Sequence, residues 1–234
     1  MAHITTVALD ADDTLWQNEQ FFRLTEQRFT ALLKDYTDAP DLSDQLITAV
    51  TRNLSFYGFG IKGFTLSMVE TALEVTDHRV PGTVIAEILA AGRELLSHPV
   101  ETLPYVDQAL SHLQETHRLI LVTKGDIFDQ ERKLAASGLA EFFAAIEIVS
   151  DKTPATYARI FAQHTDGADR TVMVGNSLKS DILPALAAGG FAVYVPHELT
   201  WPYEHAEEPV GEQRYARIEH LGQLPQAITS FDSR

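Results

Sequence analysis

A chain of 234 residues can bury one substantial core, or one core with a smaller unit inserted into it. Its composition, 45% hydrophobic and 22% charged, is that of a globular protein and lies far from the polar sequences that stay disordered. The 33 acidic and 18 basic residues leave a net charge of -15, which repels polyanions at long range and argues against nucleic acid as a partner; a local cluster of cations in a cleft could still take a small phosphorylated ligand.

Cysteine is absent, which excludes disulfides, thiolate zinc sites and a cysteine nucleophile. The N-terminal segment lacks a basic stretch followed by a long apolar one, and no segment approaches the roughly 18 apolar residues of a membrane span. The expectation is a cytoplasmic protein, monomeric or homodimeric, with no membrane contact.

In chain order, Ile4 to Leu9 is a short apolar, β-branched run that predicts a buried strand delivering Asp10 at its carboxyl end. From about Trp16 to His98 the apolar positions, among them Phe21, Leu24, Phe29, Leu32 and Leu33, recur at helical spacing. Breaks near Pro40, Gly58 to Gly63, and Pro81-Gly82 divide this stretch into about four helices. A helix after Pro104 leads to a second strand at Arg118 to Val122, and a helix from Phe128 to Ser137 ends at Gly138. Ile146 to Val149 and Thr171 to Val174 predict the third and fourth strands, each followed by a helix, and Phe191 to Val195 the fifth. The segment from His197 to Gly211 reads as a loop before an edge strand at Tyr215 to Ile218 and a last helix over Leu221 to Thr229. Repeated strand and helix units imply an α/β fold, a doubly wound parallel sheet, with residues 17–98 inserted as a helical domain into a core formed by 1–16 and 99–234.

Ligands of open α/β sheets bind beyond the carboxyl ends of the strands, and those ends carry chemistry here. The first supplies Asp10, Asp12 and Thr14; the second, Thr123; the turn after the third, Lys152; the fourth, Asn176 and Asp181. One such residue is more often a helix cap or a solvated charge, but capping preferences do not place compatible groups at four strand ends in order.

The run Val7-Ala8-Leu9-Asp10-Ala11-Asp12-Asp13-Thr14-Leu15 resembles the Asp-x-Asp-x-Thr nucleophile motif of the haloacid dehalogenase-like hydrolase superfamily. Thr123, Lys152 and the segment Gly175-Asn176-Ser177 through Asp181 match its other three motifs in order. The resemblance implies a Rossmann-like core with a first-type helical cap acting as a lid. It also implies a Mg²⁺-dependent phosphatase in which Asp10 attacks phosphorus and Asp12 is general acid and base. Mg²⁺ would be held by Asp10, the Asp12 carbonyl and Asp181, Thr123 would bind a phosphoryl oxygen, and Thr14 would orient Asp12 and stabilise the turn.

Two positions depart from the commonest pattern of that superfamily. Asn176 stands where many relatives have Asp, keeping an oxygen but losing a charge; Lys124 follows Thr123 and is either close to the phosphate or a solvated surface lysine, the second favoured because adjacent strand residues face opposite sides. In the insert, Phe56 to Phe64 combines glycines, aromatics and a cation, so Tyr57, Phe59 and Lys62 are candidates for substrate selectivity; a plain connector with core aromatics is an equal reading. Trp201 and Tyr203 stay unassigned, and the nine histidines show no metal-ligand spacing. The substrate class expected is a small phosphorylated metabolite. The alternatives are a phosphomutase, a haloacid dehalogenase, a phosphonate hydrolase with Lys62 as the amine, and a weakly active phosphate-binding regulator.

Overall fold

The computed structural model of the chain describes residues 3–232. It divides into two compact units, one formed by Met1–Gln17 with Val100–Arg234 and the other by Asn18–Pro99.

The first unit is built on six parallel strands: β1 (Thr6–Leu9), β2 (Arg118–Lys124), β3 (Ala145–Val149), β4 (Thr171–Gly175), β5 (Phe191–Tyr194) and β6 (Tyr215–Arg217). Their order in the sheet is β3-β2-β1-β4-β5-β6. Strand β1 pairs Leu9 with Leu121 on one side and with Val174 on the other, so it lies in the middle and both its faces are covered. That is why Thr-Val-Ala-Leu is apolar without alternation. The chain moves outward from β1 in both directions, and the reversal between β1 and β4 opens the crevice in which such sheets place ligands. Asp10 and Asn176 are the first residues beyond those two strands.

Side chains alternate across the sheet. Val7, Leu9, Leu121 and Val174 pack on one face with Leu110 and Leu113 of α5 (Val106–Leu113), Leu134 of α6 (Ile127–Ser137) and Leu224, Ile228 and Phe231 of α9 (Leu224–Asp232). Ala8, Ile120, Val122 and Met173 pack on the other with Tyr157, Ile160 and Phe161 of α7 (Pro154–His164) and Ala185 of α8 (Leu183–Ala187). Local chemistry starts these helices where the strands end. The Asp126 carboxylate accepts from the Asp129 N–H to cap α6, and the Thr153 hydroxyl accepts from the Thr156 N–H to cap α7, which has proline in its first turn.

Expected and observed elements differ at a few ends. Strand β2 runs two residues beyond Val122 because Thr123 and Lys124 pair in register with Ile148 and Val149 of β3. The edge strand is present, and the last helix is a 3-10 turn, Leu221–Gln223, leading into α9. Between β4 and α8 the backbone makes a π-helical turn, Leu178–Ile182, where the sequence reading has a plain helix.

The second unit contains α1 (Glu19–Leu33), α2 (Leu42–Tyr57), α3 (Ile61–Val75) and α4 (Gly82–Ser97). Phe29, Leu33, Leu46, Met68, Ala72, Val84 and Ile88 form its core, one stripe from each helix. The glycine-rich segment expected as a loop is only a corner: α2 ends at Tyr57, α3 starts at Ile61, and Gly58 and Gly60 take positive φ of 71° and 110° to make the bend. Gly63 allows the helices this close, since a Cβ there would lie 2.8 Å from the Gly58 carbonyl oxygen. Phe56 is 77% exposed, so it is not the core aromatic that the connector reading supposes.

Candidate active site

Asp10 leaves β1 with its N–H bonded to the Val174 carbonyl at 2.9 Å, which fixes the start of the following loop against β4. Asp13 holds a left-handed conformation, φ 59°, and its N–H donates to the Trp16 carbonyl, folding Ala11 to Leu15 into a tight turn beside the sheet. The Asp10 carboxylate is buried, and its two oxygens have different partners. Oδ1 accepts from Lys152 Nζ, and Oδ2 accepts from the Thr14 hydroxyl at 3.0 Å. Thr14 also accepts the Asn176 N–H at 3.1 Å, tying the nucleophile turn to the end of β4. It therefore serves Asp10 and Asn176, not Asp12 as the sequence reading supposes.

Lys152 lies in the turn before α7 and reaches two carboxylates, Asp10 and Asp181, the latter at 2.7 Å. Burial favours its neutral amine, but the two negative partners outweigh that and raise its pKa above the ordinary lysine value. Burial pushes Asp10 the other way: its pKa rises to about 7 despite Lys152, and the nearby Asp181 charge adds to the rise.

Asp181 is buried, and both its oxygens are engaged, Oδ1 by Lys152 and Oδ2 by the Ser177 N–H at 2.9 Å. Gly175 makes room for it, since a Cβ at that position would stand 2.2 Å from Asp181 Oδ2. Asp181, expected as a metal ligand, is the second acceptor of Lys152. Asn176, expected only in support, has its side-chain amide against Asp10, Thr14 and the Asp12 carbonyl. One terminal atom of its amide lies 3.2 Å from both Asp10 Oδ2 and the Asp12 carbonyl oxygen, and 3.3 Å from the Thr14 hydroxyl. Turned one way, the amide N–H₂ donates to these acceptors; turned the other, three oxygens face one another.

That set can be tested against Mg²⁺. Octahedral coordination at about 2.1 Å puts neighbouring ligand oxygens about 3.0 Å apart, close to the spacing here, and Mg²⁺ commonly takes one or two carboxylates and completes its shell with water and substrate. Among the described residues no three His, Cys, Asp or Glu side chains converge as a metal site, so a cation would rely on this mixed set of carboxylate, carbonyl and amide oxygens. The residues fit the ion.

Asp12 carries its carboxylate to the other side of the turn. Lys133 Nζ lies 2.6 and 2.8 Å from its two oxygens, Trp16 Nε1 donates to Oδ1 at 2.7 Å and Gln130 Nε2 to Oδ2 at 2.8 Å. Burial works against its charge, but Lys133 and these donors outweigh it and hold the carboxyl below the usual range. Gln130 and Lys133 escape the sequence reading, although their spacing of three on α6 puts them on one helix face directly after Thr123; Trp16, four residues from Asp12, enters that reading only as the residue where helical spacing begins. Thr123 itself is buried at the carboxyl end of β2, on the strand that neighbours β1.

Lys124 is not a solvated surface lysine. Its Nζ donates to Ser180 Oγ at 2.7 Å and pairs with Glu204 in a largely buried site, because the late loop folds back over the end of β4 and brings Glu204 with it. Burial opposes the charge of Glu204, but Lys124 and the hydroxyls of Ser177 and Ser180 hold its carboxyl below the ordinary value. Trp201 and Tyr203 stack at 4.8 Å in that same loop. In the helical unit, Tyr57 donates its hydroxyl to Glu70, Phe59 sits in the corner, and Lys62 is exposed in the first turn of α3.

A family model described as a hydrolase, haloacid dehalogenase-like hydrolase, matches residues 4–189, most of the chain and all of the elements that bear the four motifs. The chain belongs to the haloacid dehalogenase-like hydrolase family. A haloacid dehalogenase-like family hydrolase from Xanthomonas campestris is 40% identical, with 98% of this chain and 92% of that one aligned and a TM-score of 0.87. Two more distant structures share the fold of this family member. A 2-haloacid dehalogenase from Pseudomonas syringae pv. tomato aligns at 23% identity, over 97% of this chain and 98% of that one, with a TM-score of 0.65. A HAD phosphatase from Thermococcus onnurineus aligns at 20% identity, over 97% and 99%, with a TM-score of 0.59. No curated protein matches the hydrolase by sequence.

Proposed function

We propose that this hydrolase is a Mg²⁺-dependent phosphatase that releases phosphate from a small phosphomonoester through an aspartyl-phosphate on Asp10. The observation that supports this reading is the division of labour around Asp10: Oδ1 rests on a buried lysine, while Oδ2 and the Asp12 carbonyl oxygen each lie 3.2 Å from one terminal atom of the Asn176 amide, close to the spacing of ligand oxygens around an octahedral cation. Attack on the carbon of a neutral carbon–halogen bond has no use for that cluster.

A carboxylate approaching a phosphate dianion at about 4 Å meets roughly 8 kcal/mol of repulsion at an effective dielectric near 20, so the site must supply positive charge. Lys152 is one source. Mg²⁺, held by Asp10 Oδ2, the Asp12 carbonyl and Asn176, would add charge and polarise the phosphoryl oxygens. Asp10 Oδ1 attacks phosphorus and the bond from phosphorus to the leaving oxygen breaks; Asp12, held ionised by Lys133, takes up the proton that the phosphomonoester monoanion carries in and passes it to that oxygen. Asp12 then takes a proton from water, the water oxygen attacks phosphorus, the bond to Asp10 breaks, and orthophosphate leaves. Thr123 donates a hydrogen bond to a phosphoryl oxygen throughout. Selectivity for the leaving group belongs to the helical unit, acting as a cap, with Tyr57, Phe59 and Lys62 the residues to vary.

The test is a screen of phosphorylated metabolites, with 2-haloacids included and both phosphate and halide measured. The expected result is phosphate release that needs Mg²⁺, stops in excess chelator and is lost in Asp10→Asn. Halide release that is indifferent to chelator would replace this reading with dehalogenation.

A further inference from the structure

The loop between β5 and β6 has no counterpart in the motifs, yet one of its side chains holds two of the strand ends that carry site residues, those of β2 and β4. Glu204 lies on a short 3-10 turn, Pro202–Glu204, with its side chain 12% exposed. Its Oε2 accepts from Ser177 Oγ and Ser180 Oγ, each at 2.5 Å, and its Oε1 accepts from Lys124 Nζ. Contacts this short between hydroxyls and a carboxylate are charge-assisted and directional.

Each partner of Glu204 is the chain neighbour of a site residue: Lys124 follows Thr123, Ser177 follows Asn176, and Ser180 precedes Asp181. The hydroxyl of Ser177 does two things at once. By giving its hydrogen to Glu204 it keeps a lone pair for the Ser180 N–H at 2.9 Å, while its own N–H holds Asp181. The turn it caps is π-helical, with the N–H groups of Asp181 and Ile182 both directed at the Ser177 carbonyl, at 2.9 and 3.2 Å. Such turns are rare and are frequent at functional sites. The loop supplies further support, since Lys179 Nζ stands 3.3 Å above the centre of the Tyr203 ring.

We infer that Glu204 is a positioning residue: it fixes the turn Ser177–Asp181 so that the Asn176 amide stands opposite Asp10 and the Asp181 carboxylate stands on Lys152. This rests on the reading of the site as a Mg²⁺ site. Lys124 is then the counter-ion of the clamp and not a phosphate ligand.

The experiment is a titration of the full-length protein with Mn²⁺, followed by electron paramagnetic resonance, with thermal unfolding in chelator measured on the same samples. Wild type is expected to bind one Mn²⁺ competitively with Mg²⁺, and Glu204→Gln to bind about 10- to 100-fold more weakly, the range found when groups behind metal ligands are removed. Because Glu204→Gln leaves Lys124 buried without its charge partner, the double variant Lys124→Met/Glu204→Leu is included. It should unfold at a higher temperature than Glu204→Gln while its metal affinity stays low. If affinity returns together with stability, or if Glu204→Gln binds Mn²⁺ as wild type does, the positioning role is wrong. If wild type binds no Mn²⁺, the underlying reading of the site fails first.

Discussion

Asp10 is a carboxyl group placed where ionisation is expensive, and that has a measurable cost without metal. Its pKa is raised from 3.8 to about 7, chiefly by burial, so between about pH 4 and 7 the folded chain binds more protons at this position than the unfolded chain. Stability from this group is therefore lost as pH rises through that window. In chelator at pH 8, Asp10→Asn is expected to be more stable than wild type by about 1–3 kcal/mol, with the gap closing toward pH 4. The lowered pKa of His117 acts with the opposite sign but is common to both proteins. Denaturant unfolding at the two pH values decides it, and a wild type at least as stable as the variant at pH 8 would contradict the account of Asp10. Asp12 makes a separate demand, since its carboxylate is oriented by Lys133, Gln130 and Trp16. Lys133→Met is expected to lower kcat by about 10- to 100-fold with little change in KM, within the roughly 10²–10⁴-fold that a placed acid–base group contributes. An equal loss in KM alone would assign Lys133 to substrate binding. Asp10, Asp12, Thr123 and Lys152 could be read in sequence because each sits at a strand end in a fixed order. Glu204 could not, because its partner Lys124 is 80 residues away and only the folded loop joins them.

The turn after β4 concentrates the constraints that belong to an element and not to one side chain. Gly175 has no room for a Cβ beside Asp181, so Gly175→Ala must displace the carboxylate that holds Lys152. A loss of about 1–3 kcal/mol is expected from such overpacking, with phosphate release reduced even at temperatures where the variant is fully folded. Unchanged turnover would mean that Asp181 has freedom the packing denies it. The corner between α2 and α3 is constrained in the same manner, by backbone: a Cβ on Gly63 meets the Gly58 carbonyl, which cannot swing away. Here the sequence misleads for a definite reason. Closely spaced glycines signal flexibility when counted, but Gly58 and Gly60 serve positive φ and Gly63 serves close approach, so together they specify one tight bend. The strands were legible as far as apolar runs extend, and the misjudged ends, such as Thr123-Lys124 in β2, lie where polar side chains occupy ladder positions.

At the scale of the whole molecule, the six-stranded order places one reversal, between β1 and β4, and Asp10, Lys152, Asn176 and Asp181 meet from the ends of β1, β3 and β4. This much follows from alternating strand and helix patterns and the known handedness of their connections. A net charge of -15 makes such a protein sensitive to divalent cations in general, so metal binding must be separated from screening. Mg²⁺ at about 100 times its dissociation constant should stabilise wild type by about 2.7 kcal/mol, whereas Asp10→Asn should gain much less from the same salt. The most direct test of the central claim is to quench the enzyme with acid during Mg²⁺-dependent turnover of p-nitrophenyl phosphate and sequence its peptides by mass spectrometry. A single phosphoryl group on the peptide containing Asp10, absent in chelator and in Asp10→Asn, is the expected result; rapid turnover with no phosphoryl group on Asp10, or with the group on another residue, would contradict it.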